Sequence, residues 1–187
     1  MNSARAALSH LVQVNGKPFG ENTFVHKYFA GIRNICPHAP KYSDIWDPSI
    51  VISHLSSFPG LDSLSLKALT QKTLMLVLLA TGQRVQTMAH ITVQNIHYVH
   101  PVVHITITSK LKHTKQRGLI LQIKQFPENS HICPVAYLQA YLAKTLAIRN
   151  HDQLFLCLQR PHGPASIPTM ARWVKQVLAS AGINTSV

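Results

Sequence analysis

Apolar residues recur with the spacing of a helix along the first part of this 187-residue chain. Two such patterns, in residues 1–15 and 24–35, predict helices. Their apolar faces consist of Ala7, Leu8, Leu11 and Val12 in the first and Phe24, Tyr28, Phe29 and Ile32 in the second. Pro37 and Pro40 then interrupt any regular structure. We therefore expect residues 1–45 to be the end of a small helical domain with a linker, and residues 46–187 to form a second domain.

The second domain is predicted to be rich in helices. Asp47 and Pro48 are typical of an N-cap and a first helical position, and Gly82 is typical of a C-terminal cap. The predicted helices are 49–56, 64–81, a short one from Arg84, 134–149 and 168–181. Their inward residues are expected to be Val85, Met88 and Ala89, then Val135, Leu138, Leu142 and Leu146, then Met170, Trp173 or Val174, Val177 and Leu178.

Strict alternation of apolar and polar residues marks two strands. In residues 102–108 the inward positions are Val103, Ile105 and Ile107, and in residues 118–124 they are Leu119, Leu121 and Ile123. Residues 154–158 form a further short buried run. The order of helices and strands predicts a mixed α+β domain, with helices around a small sheet.

The charge balance adds a partner to this picture. Eighteen Lys and Arg stand against six Asp and Glu, which gives a net charge of +12 with histidine neutral. Such an excess indicates an anionic partner, and nucleic acid is the commonest one for a globular chain. Twelve histidines would strengthen anion binding as the pH falls below about 6.5.

Cysteine usage and hydropathy argue against secretion and membrane insertion. Cys36, Cys133 and Cys157 are widely spaced and form no C-x-x-C pair. That favours reduced thiols in the nucleus or cytoplasm over disulfides or a zinc site. No signal peptide is evident at the N-terminus, and the longest apolar run, Leu74 to Ala80, is too short to cross a bilayer.

The candidate chemistry lies in one arginine and one loop. Arg84 directly follows the most apolar predicted helix, so a rigid support would hold its guanidinium. The connection Ser109–Arg117 between the two strands carries Lys110, Lys112, Lys115 and Arg117. Six acidic residues in the whole chain are too few to pair these cations, and unpaired cations suit a phosphate backbone. The alternatives are a surface arginine and a solvated charged turn.

The ordered motifs of the chain resemble those of a tyrosine recombinase. The sequence Leu78-Leu-Ala-Thr-Gly-Gln-Arg84-Val-Gln-Thr-Met88 precedes the strand pair. The sequence Arg172-Trp-Val-Lys-Gln-Val-Leu-Ala-Ser-Ala-Gly182 covers most of the last predicted helix and the glycine after it. More narrowly, Gly31-Ile-Arg-Asn34, Pro40-Lys-Tyr-Ser-Asp-Ile-Trp46-Asp47 and Leu66-Lys-Ala-Leu-Thr-Gln-Lys72 are similar to recombinases of DIRS-type and Crypton-type mobile elements. The resemblance implies a mainly helical catalytic domain with a small antiparallel sheet, preceded by the helical end of a core-binding, SAM-like domain.

The resemblance also implies a mechanism of DNA recombination and integration on double-stranded DNA. A tyrosine attacks a DNA phosphodiester, two arginines stabilise the pentavalent phosphate, and a hairpin lysine protonates the leaving oxygen. The resemblance implies no metal or small-molecule cofactor, and it implies a homo-oligomer on DNA. Arg84 matches the first arginine, and Lys112 matches the hairpin lysine better than Lys110 does. The expected DNA contacts are Lys110, His113, Lys115, Arg117, Arg172 and Lys175.

The sequence departs from the family pattern at several places. Thr87 stands where the family often has an acidic residue, and the final His-x-x-Arg motif is not found. Arg172 falls one helix too early for the second catalytic arginine, so we interpret it as a helix-surface residue. No tyrosine lies at the nucleophile's position, so Tyr28, Tyr42, Tyr98, Tyr137 and Tyr141 are interpreted as core or surface aromatics. The spacing of His97, His100 and His104 matches no usual metal site.

We therefore expect a recombinase that is incomplete at its C-terminus, binds DNA weakly and does not cleave DNA alone. Two other hypotheses remain open. One is a non-catalytic DNA-binding or regulatory protein derived from a mobile element. The other is a basic protein-interaction module whose recombinase likeness is only ancestral.

Overall fold

The computed structural model describes residues 2–37, 45–109 and 118–185. The chain divides into two compact units, Met1–Ile45 and Trp46–Val187. The first unit contains helix α1 (Asn2–Leu11), strands β1 (Gln13–Val14) and β2 (Lys17–Pro18), and helix α2 (Thr23–Ile35). The assignment of this unit to a core-binding domain stays a prediction.

A tight hairpin replaces the end of the helix predicted for residues 1–15, so that prediction is wrong beyond Leu11. Asn15 and Gly16 have φ angles of +53° and +74°, which suit the two-residue turn that joins β1 to β2. Helix α2 is confirmed. Its N-terminus is capped by the Asn22 side chain, which accepts a hydrogen bond from the Phe24 amide at 2.9 Å.

The second unit surrounds a three-stranded sheet with helices, which confirms the predicted α+β class. In chain order its elements are α3 (Pro48–Ser56), α4 (Leu66–Thr81), α5 (Val85–Met88), β3 (Ile96–Val99), β4 (Val102–Ile107), β5 (Leu119–Lys124), α6 (Pro134–Thr145) and α7 (Ile167–Ser180). Asp47 caps α3 as expected, because its carboxylate accepts a hydrogen bond from the Ser49 amide at 2.8 Å.

Helix α4 is the central element of this unit, since it packs against both α6 and α7. Eight of the nine residues from Leu69 to Val77 are buried. This part of α4 is therefore shielded from water on almost all sides. Two polar contacts fix α6 onto it. The Thr73 hydroxyl donates to the Tyr137 carbonyl at 3.2 Å, and the Lys144 ammonium donates to the Leu64 carbonyl.

The sheet is antiparallel, with strand order β3-β4-β5. One face is buried and contains Val103, Ile105, Ile107, Leu121 and Ile123, as predicted, together with Ile96 of β3. Leu119, which is also predicted to face inward, is half-buried. Strand β3 was not predicted. It pairs with β4 so that His97 lies opposite His104, and β4 pairs with β5 so that Ile107 lies opposite Leu119.

Helix α6 ends at Thr145, four residues before the predicted end, and a 3-10 turn follows it. Arg149 explains the early end. Its guanidinium donates to the Thr145 hydroxyl at 2.8 Å and to the carbonyls of Gln153 and Leu154 at 2.5 and 3.0 Å, which holds the chain in a turn. Leu146 is therefore 75% exposed, and the prediction that it faces inward is wrong.

The last helix and the short buried run match the sequence analysis. Met170, Trp173 and Val177 form the buried face of α7, and Ser166 caps its N-terminus. Leu154, Phe155 and Leu156 are buried but form no strand, and of the three only Leu156 makes an isolated bridge, with Pro164. Among residues 2–37, 45–109 and 118–185, no helix combines the length and the apolar character that a bilayer crossing requires.

Candidate functional site

The support for Arg84 is the buried helix that precedes it. Helix α4 ends at Thr81, and Gly82 follows in the left-handed conformation with a φ of +61°. The Gly82 amide donates to the Leu78 carbonyl at 2.9 Å, which satisfies one of the last carbonyls of the helix. Since a glycine adopts this conformation without steric penalty, the chain turns sharply here at little energetic cost.

Arg84 then occupies the N-cap position of α5, with extended backbone angles. Its carbonyl accepts a hydrogen bond from the Thr87 amide at 2.8 Å, and Met88 anchors the short helix in the core at 1% exposure. The backbone of Arg84 is thus fixed on both sides, by the cap of α4 and by the first turn of α5.

The side chain of Arg84 is exposed. Within the described ranges, no hydrogen bond or ion pair holds its guanidinium. Thr87, which stands where the family often has an acid, is 5% exposed, and its hydroxyl donates to the Gln83 side chain at 3.4 Å. The guanidinium is consequently presented by a rigid backbone, with its five donors available to an anion.

The predicted basic loop lies outside the described residues. This applies to Lys110, Lys112, His113, Lys115 and Arg117. The strands that flank the loop are described, and the pairing of Ile107 with Leu119 shows that it closes an antiparallel strand pair. The hairpin connection that the sequence predicts is therefore present, while the positions of its cations relative to Arg84 stay a prediction.

The two remaining predicted DNA contacts lie on α7. Arg172 and Lys175 are both exposed, on the side of the helix away from Met170 and Trp173. The interpretation of Arg172 as a helix-surface residue is confirmed. Helix α7 packs against α5, which begins directly after Arg84. Whether these cations contact DNA stays a prediction.

The tyrosines occupy core and surface positions. Tyr137 and Tyr141 are 1% and 0% exposed, and the Tyr141 hydroxyl accepts a hydrogen bond from the Leu156 amide at 3.0 Å. Burial raises the pKa of both hydroxyl groups. Tyr28 is 66% and Tyr98 is 44% exposed, and Tyr42 lies outside the described residues. Neither buried tyrosine is accessible to a DNA phosphate.

The histidines near the sheet are arranged more regularly than their sequence spacing indicated. His97 and His104 lie directly opposite each other in the β3–β4 register, and His100 is in the connecting turn. In the described part of the chain, no group of three or more His, Cys, Asp or Glu could hold a metal ion.

Comparison with known protein families identifies the family of this chain. A model of the Phage integrase family matches residues 58–187, which is more than half of the chain. The chain belongs to this family. Its members are tyrosine recombinases, so the first sequence resemblance is confirmed at the level of the family. A search of curated proteins finds no significant match to this integrase-family chain.

Solved recombinase structures share the fold of the integrase-family chain. XerH site-specific recombinase in a post-cleavage complex with palindromic difH substrate is 16% identical, with a TM-score of 0.56, over 78% of this chain and 37% of that chain. XerH in a pre-cleavage complex with difH substrate is 12% identical, with a TM-score of 0.56, over 98% and 46%. XerA recombinase is 16% identical, with a TM-score of 0.53, over 88% and 53%. The chain thus spans about a third to a half of the length of these proteins.

Two features of the integrase-family chain were missed from the sequence. The cross-strand pair of His97 and His104 was missed because β3 was not recognised, although the alternation of Ile96, Tyr98 and their neighbours could have indicated a strand. Lys72 was missed as a buried residue. It is 0% exposed, and only its position inside the apolar run of α4 could have signalled this.

Proposed function

We propose that the integrase-family chain binds double-stranded DNA and that Arg84 contacts a phosphate as the first arginine of a tyrosine recombinase site. The exposed guanidinium on a fixed backbone carries this proposal. Charge supports it, because residues 46–187 hold thirteen of the eighteen Lys and Arg and only four of the six Asp and Glu. The basic loop between β4 and β5 would add further phosphate contacts, with Lys112, or alternatively Lys110, as the hairpin lysine.

The test of Arg84 is a comparison with an equally exposed arginine elsewhere. Replacing Arg84→Ala removes a charge-assisted phosphate contact, so the Kd for a DNA duplex is expected to rise about tenfold at ~0.1 M salt. Arg160 is exposed, so Arg160→Ala serves as the matched control and should change Kd less than about twofold. Fluorescence anisotropy with a labelled duplex measures both. Equal effects of the two substitutions would leave only general electrostatic attraction.

We further propose that the 187-residue polypeptide binds DNA without cleaving it. It contains no His-x-x-Arg sequence, and Tyr137 and Tyr141 are buried in its core. Incubation with a nicked suicide duplex that traps a phosphotyrosyl intermediate should therefore give no covalent adduct on a denaturing gel. An adduct that disappears with Tyr28→Phe, Tyr42→Phe or Tyr98→Phe would contradict this proposal and identify the nucleophile.

The origin and location of the chain are proposals as well. The motifs around Trp46 and Lys72 support descent from a DIRS-type or Crypton-type mobile element, and the cysteines, all free, support a reducing nuclear or cytoplasmic setting. Remnants of a mobile element in the genomic sequence around the coding region would support this descent. A fluorescent fusion that accumulates outside the nucleus and cytoplasm would contradict the location.

The alternative function is a basic protein-interaction module. DNA binding that does not weaken with salt, or that is indifferent to both Arg84 and the loop cations, would favour it over the recombinase proposal.

A further inference from the structure

One face of the three-stranded sheet is open. Side chains alternate between two faces along each strand, and the face opposite the buried one carries His97, His104, Thr106, Gln122 and Lys124 as its polar members. Of its aliphatic members, Val99 and Ile120 are 59% and 60% exposed, and Val102 is half-buried. No acidic residue lies on any of the three strands. The face therefore offers hydrogen-bond donors and positive charge to a ligand.

A single row of side chains crosses all three strands at the centre of this face. His97 is directly opposite His104, which is directly opposite Gln122. Side chains in such positions have Cβ atoms about 5 Å apart. His97 is exposed and His104 half-buried, and within the described ranges neither ring makes a hydrogen bond. Both imidazoles are thus available to a common ligand.

The other charged or titratable groups around the histidine pair lie on the same face, in the adjoining turn, or on the far side of the sheet. Lys124 lies on the same face, opposite Val102 on β4, and His100 is in the β3–β4 turn. Helices α4 and α6 contact β5, and their Lys72, Tyr137 and Tyr141 are in the core beneath the opposite, buried face. Tyr98 projects from β3 toward that same buried face. Along the chain, the acid that follows the sheet first is Glu128, four residues beyond β5.

We propose that the open face of the sheet is a second DNA-contact surface, on which His97 and His104 take up protons when they meet a phosphate. This inference rests on the proposed DNA binding and adds a regulation to it. A protein surface of the same character without histidines would bind DNA with little dependence on pH. A histidine beside a bound phosphate changes that, because histidine is the side chain whose charge responds to pH near neutrality.

The link between the histidine pair and protons comes from the negative charge of the ligand. A phosphate placed between them favours the charged form of both. DNA binding is then coupled to proton uptake, so the Kd must fall as the pH is lowered.

The experiment measures the Kd of the full chain for one DNA duplex between about pH 7.5 and pH 5.5 at fixed salt, with EDTA present. For the unmodified chain we expect Kd to fall at least about tenfold over this range, and for the double variant His97→Gln, His104→Gln we expect most of the fall to be lost. The matched control is His131→Gln, His151→Gln, which removes two exposed histidines that lie off the sheet and should keep the fall.

A second variant replaces titration by a fixed charge. His104→Lys should bind at about pH 7.5 nearly as tightly as the unmodified chain binds at low pH, with a smaller dependence on pH. Circular dichroism melts of all variants establish that each is folded.

Three outcomes would overturn the proposal. The first is an equal pH dependence in the sheet variant and the control, and the second is a pH dependence that appears only when EDTA is replaced by Zn²⁺, which would indicate a metal bridge. The third is proton-driven self-association without DNA, measured by sedimentation. Absence of DNA binding at every pH would instead contradict the proposed function itself, so the two failures are distinguishable.

Discussion

The burial of Lys72 is the least expected feature of the second unit, because a lysine is rarely buried without a partner. It is 0% exposed, and its ammonium makes no hydrogen bond within the described ranges. The nitrogen lies 4.3 Å from the centre of the Tyr137 ring and 5.3 Å from that of Phe58. The ring faces attract a cation, but they replace only part of its lost hydration. Burial accordingly lowers the pKa of Lys72 to about 8.

This lowered pKa makes the stability of the domain depend on pH. Between pH 8 and pH 10.5 the unfolded chain binds more protons at Lys72 than the folded chain, so stability rises with pH across that window. Below pH 8 the full cost is present, which amounts to about 3 kcal/mol.

The first prediction is that Lys72→Met raises the free energy of unfolding. The gain should be about 1–3 kcal/mol near pH 7, and the rise in stability between about pH 8 and pH 9.5 should disappear. Urea unfolding at several pH values measures both, and staying below pH 10 avoids the ionisation of tyrosines. The exposed Lys67 on the same helix supplies the control, Lys67→Met, which should change little. A large loss of stability in Lys72→Met would show instead that the ring contacts outweigh the cost of burial.

At the residue scale, the sequence predicted where a residue lies along a helix better than which side chains surround it. Arg84 and Gly82 could be placed because an apolar run followed by glycine defines a helix end on its own. The surroundings of Lys72 could not, since Phe58 and Tyr137 are 14 and 65 residues away along the chain. A contact between such distant residues depends on how helices pack, and a local pattern carries no record of it.

At the scale of elements, the junction between α4 and α5 determines where Arg84 points. The φ of +61° at Gly82 lies in the region that side chains with a Cβ adopt at a cost, although no atom lies within 4 Å of a Cβ built there. A residue with a side chain at position 82 would therefore be strained by its backbone conformation, and not by crowding from neighbouring atoms.

The second prediction is that Gly82→Ala destabilises the domain by about 1 kcal/mol. Gly82→Asn should cost less, because asparagine tolerates the left-handed region. Gly60→Ala is the control. Gly60 has a φ of −58°, and no atom lies within 4 Å of the position that an added Cβ would occupy, so the substitution should be neutral or slightly stabilising. Thermal unfolding of the three variants tests the order, and an equal loss in Gly82→Ala and Gly60→Ala would contradict it.

A third prediction concerns the attachment of the extended residues 154–156 to α6. The Tyr141 hydroxyl accepts a hydrogen bond from the Leu156 amide, and both groups are buried. Tyr141→Phe leaves that amide without a partner and should reduce the free energy of unfolding by about 1–3 kcal/mol. Amide hydrogen exchange at Leu156 should accelerate more than exchange in α4. An unchanged exchange rate at Leu156 would mean that the hydrogen bond contributes no protection.

Helices and strands could be predicted where the apolar pattern was long. They could not be predicted where tertiary contacts determine the start or end of an element. The alternation in residues 102–108 and 118–124 identified β4 and β5, whereas β3 has four residues of which only Ile96 is buried. The end of α6 depends on hydrogen bonds from Arg149 to carbonyls further along the chain, which periodicity does not reveal. The same holds for the candidate site. Arg84 was found from its motif, while the pair of His97 and His104 exists only through strand pairing.

At the scale of the whole molecule, the net positive charge should make the DNA-binding constant depend on salt concentration. Each phosphate contact by a cation contributes about 0.9 to the slope of log K against log salt. If Lys110, Lys112, Lys115 and Arg117 all meet phosphates, replacing the four together by alanine should reduce that slope by about 3–4. Residues outside a DNA-binding face contribute only a diffuse field, which should alter the slope far less.

The last prediction therefore compares this loop variant with Lys67→Ala, Arg160→Ala, a pair of exposed cations in the same unit. The control should shift the slope by less than about 0.5, and its affinity at ~0.15 M salt should stay within about threefold of the unmodified chain. Anisotropy titrations at a series of salt concentrations give both slopes. If the loss per cation removed were the same in both variants, the chain would attract DNA through its overall charge, and the loop would have no special place in binding. A loss concentrated in the loop, together with a tenfold effect of Arg84, would identify a single phosphate-binding surface formed by the end of α4 and the β4–β5 hairpin.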